Sequence, residues 1–61
     1  MIKLIVGLSD AVEAEYGSRA DDVATLLILI DDEVTSVEGY VSLRRAVEAA
    51  KAENCAFEVV G

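Results

Sequence analysis

Carboxylates are the side chains of this sequence that are numerous enough, and close enough together, to support a defined chemistry. Nine of the twelve acidic residues lie between positions 10 and 38. They are Asp10, Glu13, Glu15, Asp21, Asp22, Asp31, Asp32, Glu33 and Glu38. One basic residue, Arg19, lies among them, so this stretch carries −9 + 1 = −8, whereas the whole chain carries −7. An electrostatic field dominated by one sign of charge favours a basic partner.

Other chemistries are disfavoured by what the chain lacks. It contains no histidine and a single cysteine, so a histidine-activated nucleophile cannot be built and one thiol cannot hold zinc. The run Asp31-Asp32-Glu33 does not have the spacing of a calcium-binding loop, because three consecutive acids cannot all face one ion. We therefore expect no catalytic residue, no metal and no cofactor, and predict a protein that is not an enzyme.

Length and hydropathy indicate a small protein that is rich in apolar residues. The chain has 61 residues, of which 54% are hydrophobic, and its mean hydropathy is +0.43. We expect residues 1–61 to form a single domain, and a domain of this size buries only about 60% of the surface of its unfolded chain. The longest apolar run, residues 26–30, is far shorter than the roughly 20 residues of a membrane span. The first residues show no signal-peptide pattern, so we expect a cytoplasmic protein.

The hydrophobic pattern predicts strands near both ends and in the middle of the chain. Residues 2–6 are largely aliphatic and β-branched, and residues 56–60, Ala-Phe-Glu-Val-Val, are predicted to be the last strand. Residues 23–30 are apolar almost throughout, which is typical of a strand buried on both faces. Three of the predicted strands follow from these runs.

Residues 10–17 fit two interpretations. Apolar and acidic positions alternate, which favours a strand with one face in water. The same residues could form a short helix capped by Ser9 or Asp10, because Val12 and Tyr16 are four residues apart. We favour the strand, since the helix would have barely two turns.

Residues 36–53 carry the clearest helical pattern. Thr35 and Glu38 have the Thr-x-x-Glu spacing of a capping box. Apolar residues then recur at steps of three and four and form one stripe: Val37, Tyr40, Leu43, Val47 and Ala50. Gly39 inside such a helix would cost about 1 kcal/mol relative to alanine, and we interpret it as a point of close packing.

Together these elements predict an α+β fold with the order β-β-β-α-β. A small antiparallel sheet of about four strands would carry one amphipathic helix on one face. The opposite face would expose apolar residues, and a homodimer could form there. If residues 10–17 are helical, the order becomes βαβαβ.

The acidic stretch suggests how a partner would be bound. Duplex DNA carries one charge per ~1.7 Å of axis, and carboxylates spread along elements that rise about 3.3 Å per residue could imitate a short phosphate track. The candidate partner-binding residues are Glu13, Glu15, Asp21, Asp22, Asp31, Asp32 and Glu33. With a pI of about 4.2, the protein is not expected to bind nucleic acid itself. An acidic surface that serves only solubility is the alternative.

In its size, its acidity and its lack of catalytic residues, the chain resembles inhibitors encoded by phages and mobile elements, notably the anti-CRISPR proteins. Several of those proteins act as DNA mimics, and they share no common motif, so the resemblance assigns no individual residue. It implies a non-enzymatic inhibitor whose partner is a CRISPR effector. The acidic stretch would then occupy a surface of the effector that otherwise binds DNA.

Residues 26–61 also resemble the strand–loop–helix–strand core of STAS-type regulatory domains. The resemblance is carried by residues 26–30, a polar loop with Ser36 and Gly39, the predicted helix, and residues 56–60. It implies a structural or regulatory interaction module, dimeric or part of a larger complex, with a phosphorylation site at Ser36 at the start of the helix. The Asp-Ser-Ser/Thr-Gly run of that family is not present in this sequence.

Overall fold

The protein is a four-stranded mixed sheet with one helix on each face. The computed structural model describes residues 1–61. In chain order the elements are β1 (Ile2–Leu8), α1 (Ser9–Tyr16), β2 (Ala24–Ile30), β3 (Glu33–Tyr40), α2 (Leu43–Ala52) and β4 (Phe57–Val60). The order of strands across the sheet is β3-β2-β1-β4. Strands β1 and β2 are antiparallel, as are β2 and β3, whereas β4 is parallel to β1. The predicted α+β class and the four strands are confirmed, whereas the predicted antiparallel sheet with one helix is wrong, because β4 pairs parallel to β1 and a second helix is present.

Side chains that alternate along the two central strands build two hydrophobic clusters. The cluster under α2 contains Leu4, Val6, Ala24, Leu26, Ala46 and Ala50. The cluster under α1 contains Ile5, Val12, Leu27 and Leu29. Strands β1 and β2 therefore bury both faces, which explains why their sequences are apolar almost without interruption.

The strand predicted over residues 10–17 is wrong, because Ser9–Tyr16 form α1. Val12 is fully buried, and Tyr16, one turn further on, packs against the same cluster. The helix ends at Gly17, whose φ of 75° lies in the left-handed region that glycine adopts without steric cost. The apolar and acidic residues of this segment therefore lie on different sides of a helix. The observed order of elements is β-α-β-β-α-β, which is neither of the two orders that we predicted.

The position of α1 also changes the expectation for self-association. An uncovered apolar face of the sheet was the basis of the predicted dimer. The uncovered face is not observed, because α1 packs on it through Val12 and Tyr16, whereas the dimer itself stays a prediction. Each face of the sheet carries a helix, so any contact between copies would have to use another surface.

Residues 33–40 form strand β3, so the helix predicted over 36–53 is too long by its first two turns. Asp31 and Asp32 have φ values of 51° and 67° and form the two-residue connection between β2 and β3. Two consecutive positive φ values are the mark of a type I′ hairpin turn, whose twist matches that of the paired strands. The predicted helix is confirmed only over Leu43–Ala52.

The capping box predicted at Thr35 and Glu38 is likewise wrong. The N-cap of α2 is Ser42, whose side chain accepts a hydrogen bond from the backbone N–H of Arg45 at 3.2 Å. The Thr35 hydroxyl instead donates to the carbonyl of Ile28 at 3.0 Å, across the pair of strands β2 and β3. Neither helix is long and apolar enough to cross a membrane.

Candidate protein-binding surface

The seven candidate carboxylates form three groups on the surface. Asp31, Asp32 and Glu33 lie at the hairpin turn and the first residue of β3. Asp21 and Asp22 precede β2, at the other end of that strand. The seven residues of β2 separate the two groups by roughly 23 Å at about 3.3 Å per residue. The remaining two, Glu13 and Glu15, lie on α1.

The loop that carries Asp21 and Asp22 packs against the last residues of β3. A Cβ atom placed on Gly39 would lie 3.0 Å from the Cβ atoms of Ala20 and of Asp22. The close packing predicted for Gly39 is therefore confirmed, although it occurs in a strand and not in a helix. This contact brings Asp22 alongside β3, so carboxylates lie at both ends of that strand.

One further carboxylate, Glu38, lies on β3 between these two groups. Strand pairing sets Glu33 opposite Ile30 and Glu38 opposite Leu26, so both glutamates are on the face that α2 covers, and both are exposed. Glu38 is absent from the predicted set because the capping-box interpretation placed it in a helix. The signal for a strand is the run of β-branched residues, Val34, Thr35 and Val37, that follows the acidic turn.

We call this surface the β3 acidic edge. It comprises the outer edge of β3 and six carboxylates: Asp21, Asp22, Asp31, Asp32, Glu33 and Glu38. The two glutamates of α1 are not part of it. They belong to the helix that packs on the other face of the sheet from Glu33 and Glu38. Val12 and Tyr16 face the sheet, so Glu13 and Glu15, which lie between these two residues in the sequence, are on opposite flanks of α1 at about 100° per residue. Ala11, one turn before Glu15, lies beside Gly61, so Glu15 is on the β4 side of the molecule.

A buried chain of hydroxyl groups fixes the loop that carries Asp22. The Ser9 Oγ atom lies 2.5 Å from the carbonyl oxygen of Asp22 and 2.7 Å from Thr25 Oγ1, and the backbone N–H of Ala20 donates to Thr25 Oγ1 at 2.9 Å. Both hydroxyl side chains are almost completely buried. These contacts tie the start of α1, the loop and β2 together, and the sequence gives no sign of them.

Basic groups neutralise little of the β3 acidic edge. The N-terminal ammonium of Met1 lies 2.8 Å from Asp31 Oδ1, but both groups are highly exposed, and exposed pairs of this kind contribute about 0–1 kcal/mol. Arg19 pairs with Asp10, which is outside the edge. No lysine or arginine side chain forms an ion pair with a carboxylate of the edge.

The other basic residues lie elsewhere, chiefly on α2. Lys3 pairs with Glu58 at 3.1 Å, and this contact raises the pKa of Lys3 above its usual 10.5. Helix α2 carries three basic residues, Arg44, Arg45 and Lys51, against one acid, Glu48, which gives 3 − 1 = +2. The rest of the chain then carries −7 − 2 = −9. The charge distribution is therefore strongly asymmetric, with α2 as the most cationic element.

Surface grooves do not coincide with the acidic edge. The larger, of about 510 Å³, runs along the outer side of α2 and is lined by Leu43, Arg44, Val47, Glu48 and Lys51. The smaller, of about 270 Å³, lies where α1 begins and includes Asp22 as its one candidate residue. No group of three or more acidic or cysteine side chains is arranged to hold a metal ion. Asp22 is the one carboxylate of the edge that lines a groove, so the candidate surface is not itself a pocket.

Tyr40, at the end of β3, reports on the electrostatics of this edge. Its hydroxyl donates to Glu38 Oε1 at 3.3 Å. Burial, and then the negative charge of Glu38 and this hydrogen bond, raise the pKa of Tyr40 above its usual value of 10.0. Each of these effects disfavours the tyrosinate anion.

We expect Tyr40 to ionise at a higher pH than free tyrosine. In a Tyr16→Phe variant Tyr40 is the one remaining tyrosine, and an ultraviolet titration should give a midpoint above 10. A further Glu38→Gln change should lower that midpoint only in part, because burial is the largest cause. The folded pKa exceeds the unfolded one, so this contribution to stability is complete below about pH 10 and is lost as the pH rises through the folded pKa. A midpoint at or below 10 would contradict the contact with Glu38.

The fold and this surface together define a small α+β protein with an acidic sheet edge. Comparisons with known proteins add no family: the chain matches no protein-family model, no curated protein and no solved structure. The STAS-type arrangement is not present, since Ser36 lies inside β3 opposite Ile28, several residues before α2 begins.

Proposed function

We propose that the protein is a non-enzymatic inhibitor that binds a basic, nucleic-acid-binding protein through its β3 acidic edge. The observation that carries the proposal is the placement of six carboxylates, two on β3 and four in the turn and loop at its ends, with no lysine or arginine side chain paired to them. A partner with a cationic surface would supply the missing counter-charges. A CRISPR effector is a partner of this chemical kind, in keeping with the resemblance to anti-CRISPR proteins.

The spacing of charges along the edge supports mimicry of one nucleic-acid strand and not of a duplex. The eight residues of β3 span roughly 26 Å. The six carboxylates, three at one end, two at the other and Glu38 between them, therefore average about one charge per 4 Å. One strand of a duplex carries a phosphate about every 3.4 Å, whereas both strands together carry one per ~1.7 Å. We therefore propose that the edge occupies the contacts that a partner makes to a single phosphate backbone.

The proposal predicts that reversing charges on the edge strongly weakens binding. Glu33→Lys combined with Glu38→Lys changes two exposed strand residues and leaves the turn at Asp31 and Asp32 intact. We expect this pair to weaken binding by about 10- to 100-fold at about 0.1 M salt, because both local attraction and long-range steering are lost. The matched control, Glu13→Lys with Glu15→Lys, makes the same change in net charge on α1 and should have a much smaller effect.

The measurement is retention of a partner from cytosol on the immobilised protein, with washes at about 0.1 M and about 0.5 M salt, where screening lengths differ roughly twofold. Retained protein that is released by salt and by added DNA supports the proposal and identifies the partner. The proposal is wrong if the edge variant, shown to be folded by circular dichroism, retains the same protein as strongly as the unmodified chain.

A second candidate is a structural interaction module that binds through apolar surface, as a dimer or within a larger complex. Ile2 and Ile30 pair across β1 and β2 and remain 52% and 43% exposed, next to the exposed Met1. This candidate predicts association that does not weaken with salt and that both charge-reversed variants retain. The same washes therefore distinguish the two functions.

A further inference from the structure

Strand β3 leaves one of its two backbone edges unpaired. It is the outermost strand on its side of the sheet and pairs only with β2. Along such a strand every second residue directs its N–H and C=O groups to solvent, where another strand can pair with them. The opposite edge strand, β4, has four residues, whereas β3 has eight. The free backbone of β3 is thus the longer template for an added strand.

The two faces of this edge differ in chemistry. Glu33 and Glu38 lie on the face of α2. Val37 lies opposite Leu27 on the face of α1, is 42% exposed, and has Val34 near it on the same face. A strand added beside β3 would therefore meet carboxylates on one of its faces and aliphatic groups on the other.

The same charges oppose pairing of β3 with a second copy of itself. Two antiparallel β3 strands centred midway between positions 33 and 38 would set Glu33 of one copy against Glu38 of the other. Like charges directly opposite each other destabilise a strand pair. The β-bulge at Thr35, where Ile28 pairs with Ser36 and Leu29 with Val34, further interrupts a regular pairing. An incoming strand with cationic side chains avoids the first of these penalties.

We propose that the β3 acidic edge binds an extended segment of its partner as an additional strand of the sheet. The segment carries lysine or arginine on the side of α2, opposite Glu33 and Glu38, and aliphatic residues on the side of α1, beside Val37. Backbone hydrogen bonds supply affinity, and the alternating side chains supply specificity, as in other cases of strand addition. This inference rests on the proposed function and names the part of the partner that is contacted.

The test uses a short blocked peptide of alternating lysine and valine as the probe. Its binding to the full chain is followed by NMR, through chemical shifts and hydrogen exchange of the β3 backbone amides. We expect the shifts to be concentrated in β3 and the outward-facing amides of β3 to gain protection. N-methylation of the alternate residues that face β3 should weaken binding at least tenfold, whereas N-methylation of the other set should have a much smaller effect, since those N–H groups point away.

Charge variants separate this inference from the proposed function. Glu33→Gln with Glu38→Gln should weaken binding of the peptide, and the matched pair Glu13→Gln with Glu15→Gln should not. If both methylated peptides bind as tightly as the parent peptide, strand addition is wrong. If a lysine–serine peptide binds equally well, the proposed aliphatic contact beside Val37 is wrong. If no peptide binds while the cytosolic partner is still retained in a salt-dependent manner, strand addition fails and the proposed function stands. Peptide shifts confined to α1 or β4 would also overturn the inference.

Discussion

Replacing Gly7 by alanine should destabilise the protein by about 2 kcal/mol, although alanine is otherwise the better residue inside a strand by about 0.5–1 kcal/mol. The reason is that the structure leaves no room for a side chain at this position. A Cβ atom on Gly7 would lie 2.5 Å from the carbonyl oxygen of Val60 and 3.3 Å from a methyl carbon of Val12. The first contact is with backbone, so β4 itself must move. Since only four residues of β4 pair with β1, we expect that strand to loosen first.

Gly17 provides the matched control for this substitution. Nothing lies within 4 Å of a Cβ atom placed there, but its φ of 75° is left-handed. Gly17→Ala should therefore cost about 1–2 kcal/mol through backbone conformation alone, and Gly17→Asn should recover part of that loss because asparagine tolerates this conformation better. The cost at Gly7 should not be recovered by asparagine, which is larger still.

Urea unfolding followed by circular dichroism measures both sites. For a domain of this size a loss of 2 kcal/mol lowers Tm by roughly 8–16 °C. Amide exchange should show weaker protection of β4 in Gly7→Ala than in Gly17→Ala. A Gly7→Ala protein as stable as the unmodified chain would show that β1 and β4 are not packed as closely as described.

The buried strands were predictable because burial on both faces leaves a plain trace in sequence. Residues 2–6 and 23–30 are almost wholly apolar runs of strand length, and each overlaps an observed strand. Residues 56–60 form the more exposed strand β4, which follows from their length and their valines and not from burial on both faces. The eight residues of α1 were not decidable in this way. Val12 and Tyr16 satisfy a helical period and a two-residue period at once, and the packing of Val12 beside Gly7, which is a tertiary contact, decides between them.

Strand β3 was missed for a different physical reason. Val37 and Tyr40 happen to be spaced so that they extend the apolar stripe of α2, which includes Leu43, towards the N-terminus. Both residues nevertheless belong to a strand. The feature that ends β2 and starts β3 is a turn with two positive φ values at Asp31 and Asp32. Such turns are usually signalled by Asn-Gly or Asp-Gly, and two aspartates give a weaker signal.

The candidate surface depended on that same hairpin. The groups at the two ends of β2 were predictable, because acidic residues bracket an apolar run. The arrangement of both groups along β3 was not predictable, because it requires that Glu38 lies in a strand and that the loop carrying Asp22 packs against Gly39. Glu13 and Glu15 were grouped with them only because a strand was assumed where α1 lies.

Substitutions in the buried chain of hydroxyl groups should be the second kind to reduce stability strongly. The donor and acceptor in each of its hydrogen bonds can be assigned by elimination. A carbonyl oxygen only accepts, so Ser9 donates its single hydroxyl proton to Asp22. Thr25 must then donate to Ser9 while it accepts from the backbone N–H of Ala20. Every member of the chain has its partner, and no buried side-chain polar atom in the protein is left without one.

Thr25→Val keeps the shape of the side chain and removes the middle of this chain. The Ala20 N–H group loses its acceptor, and we expect a loss of about 1–3 kcal/mol, the usual cost of leaving a buried polar group unsatisfied. Ser9→Ala should cost a similar amount, because it leaves the Thr25 hydroxyl without an acceptor for its proton. The double variant should lose less than the sum, with a coupling energy of about 0.5–3 kcal/mol, because both changes break one network.

Thr25→Ser is the control, because it retains the hydroxyl and gives up only a methyl group, worth about 0.8 kcal/mol. Urea unfolding gives the stabilities, and exchange of the Ala20 amide reports on the network directly. Strictly additive losses in the double variant would refute the assigned chain of donors. Because this network holds the loop in which Asp22 lies against Gly39, Thr25→Val should also weaken salt-dependent binding at the β3 acidic edge while every carboxylate remains. Loss of the Thr25 hydroxyl oxygen would then lower both the stability of the protein and its binding to the proposed partner.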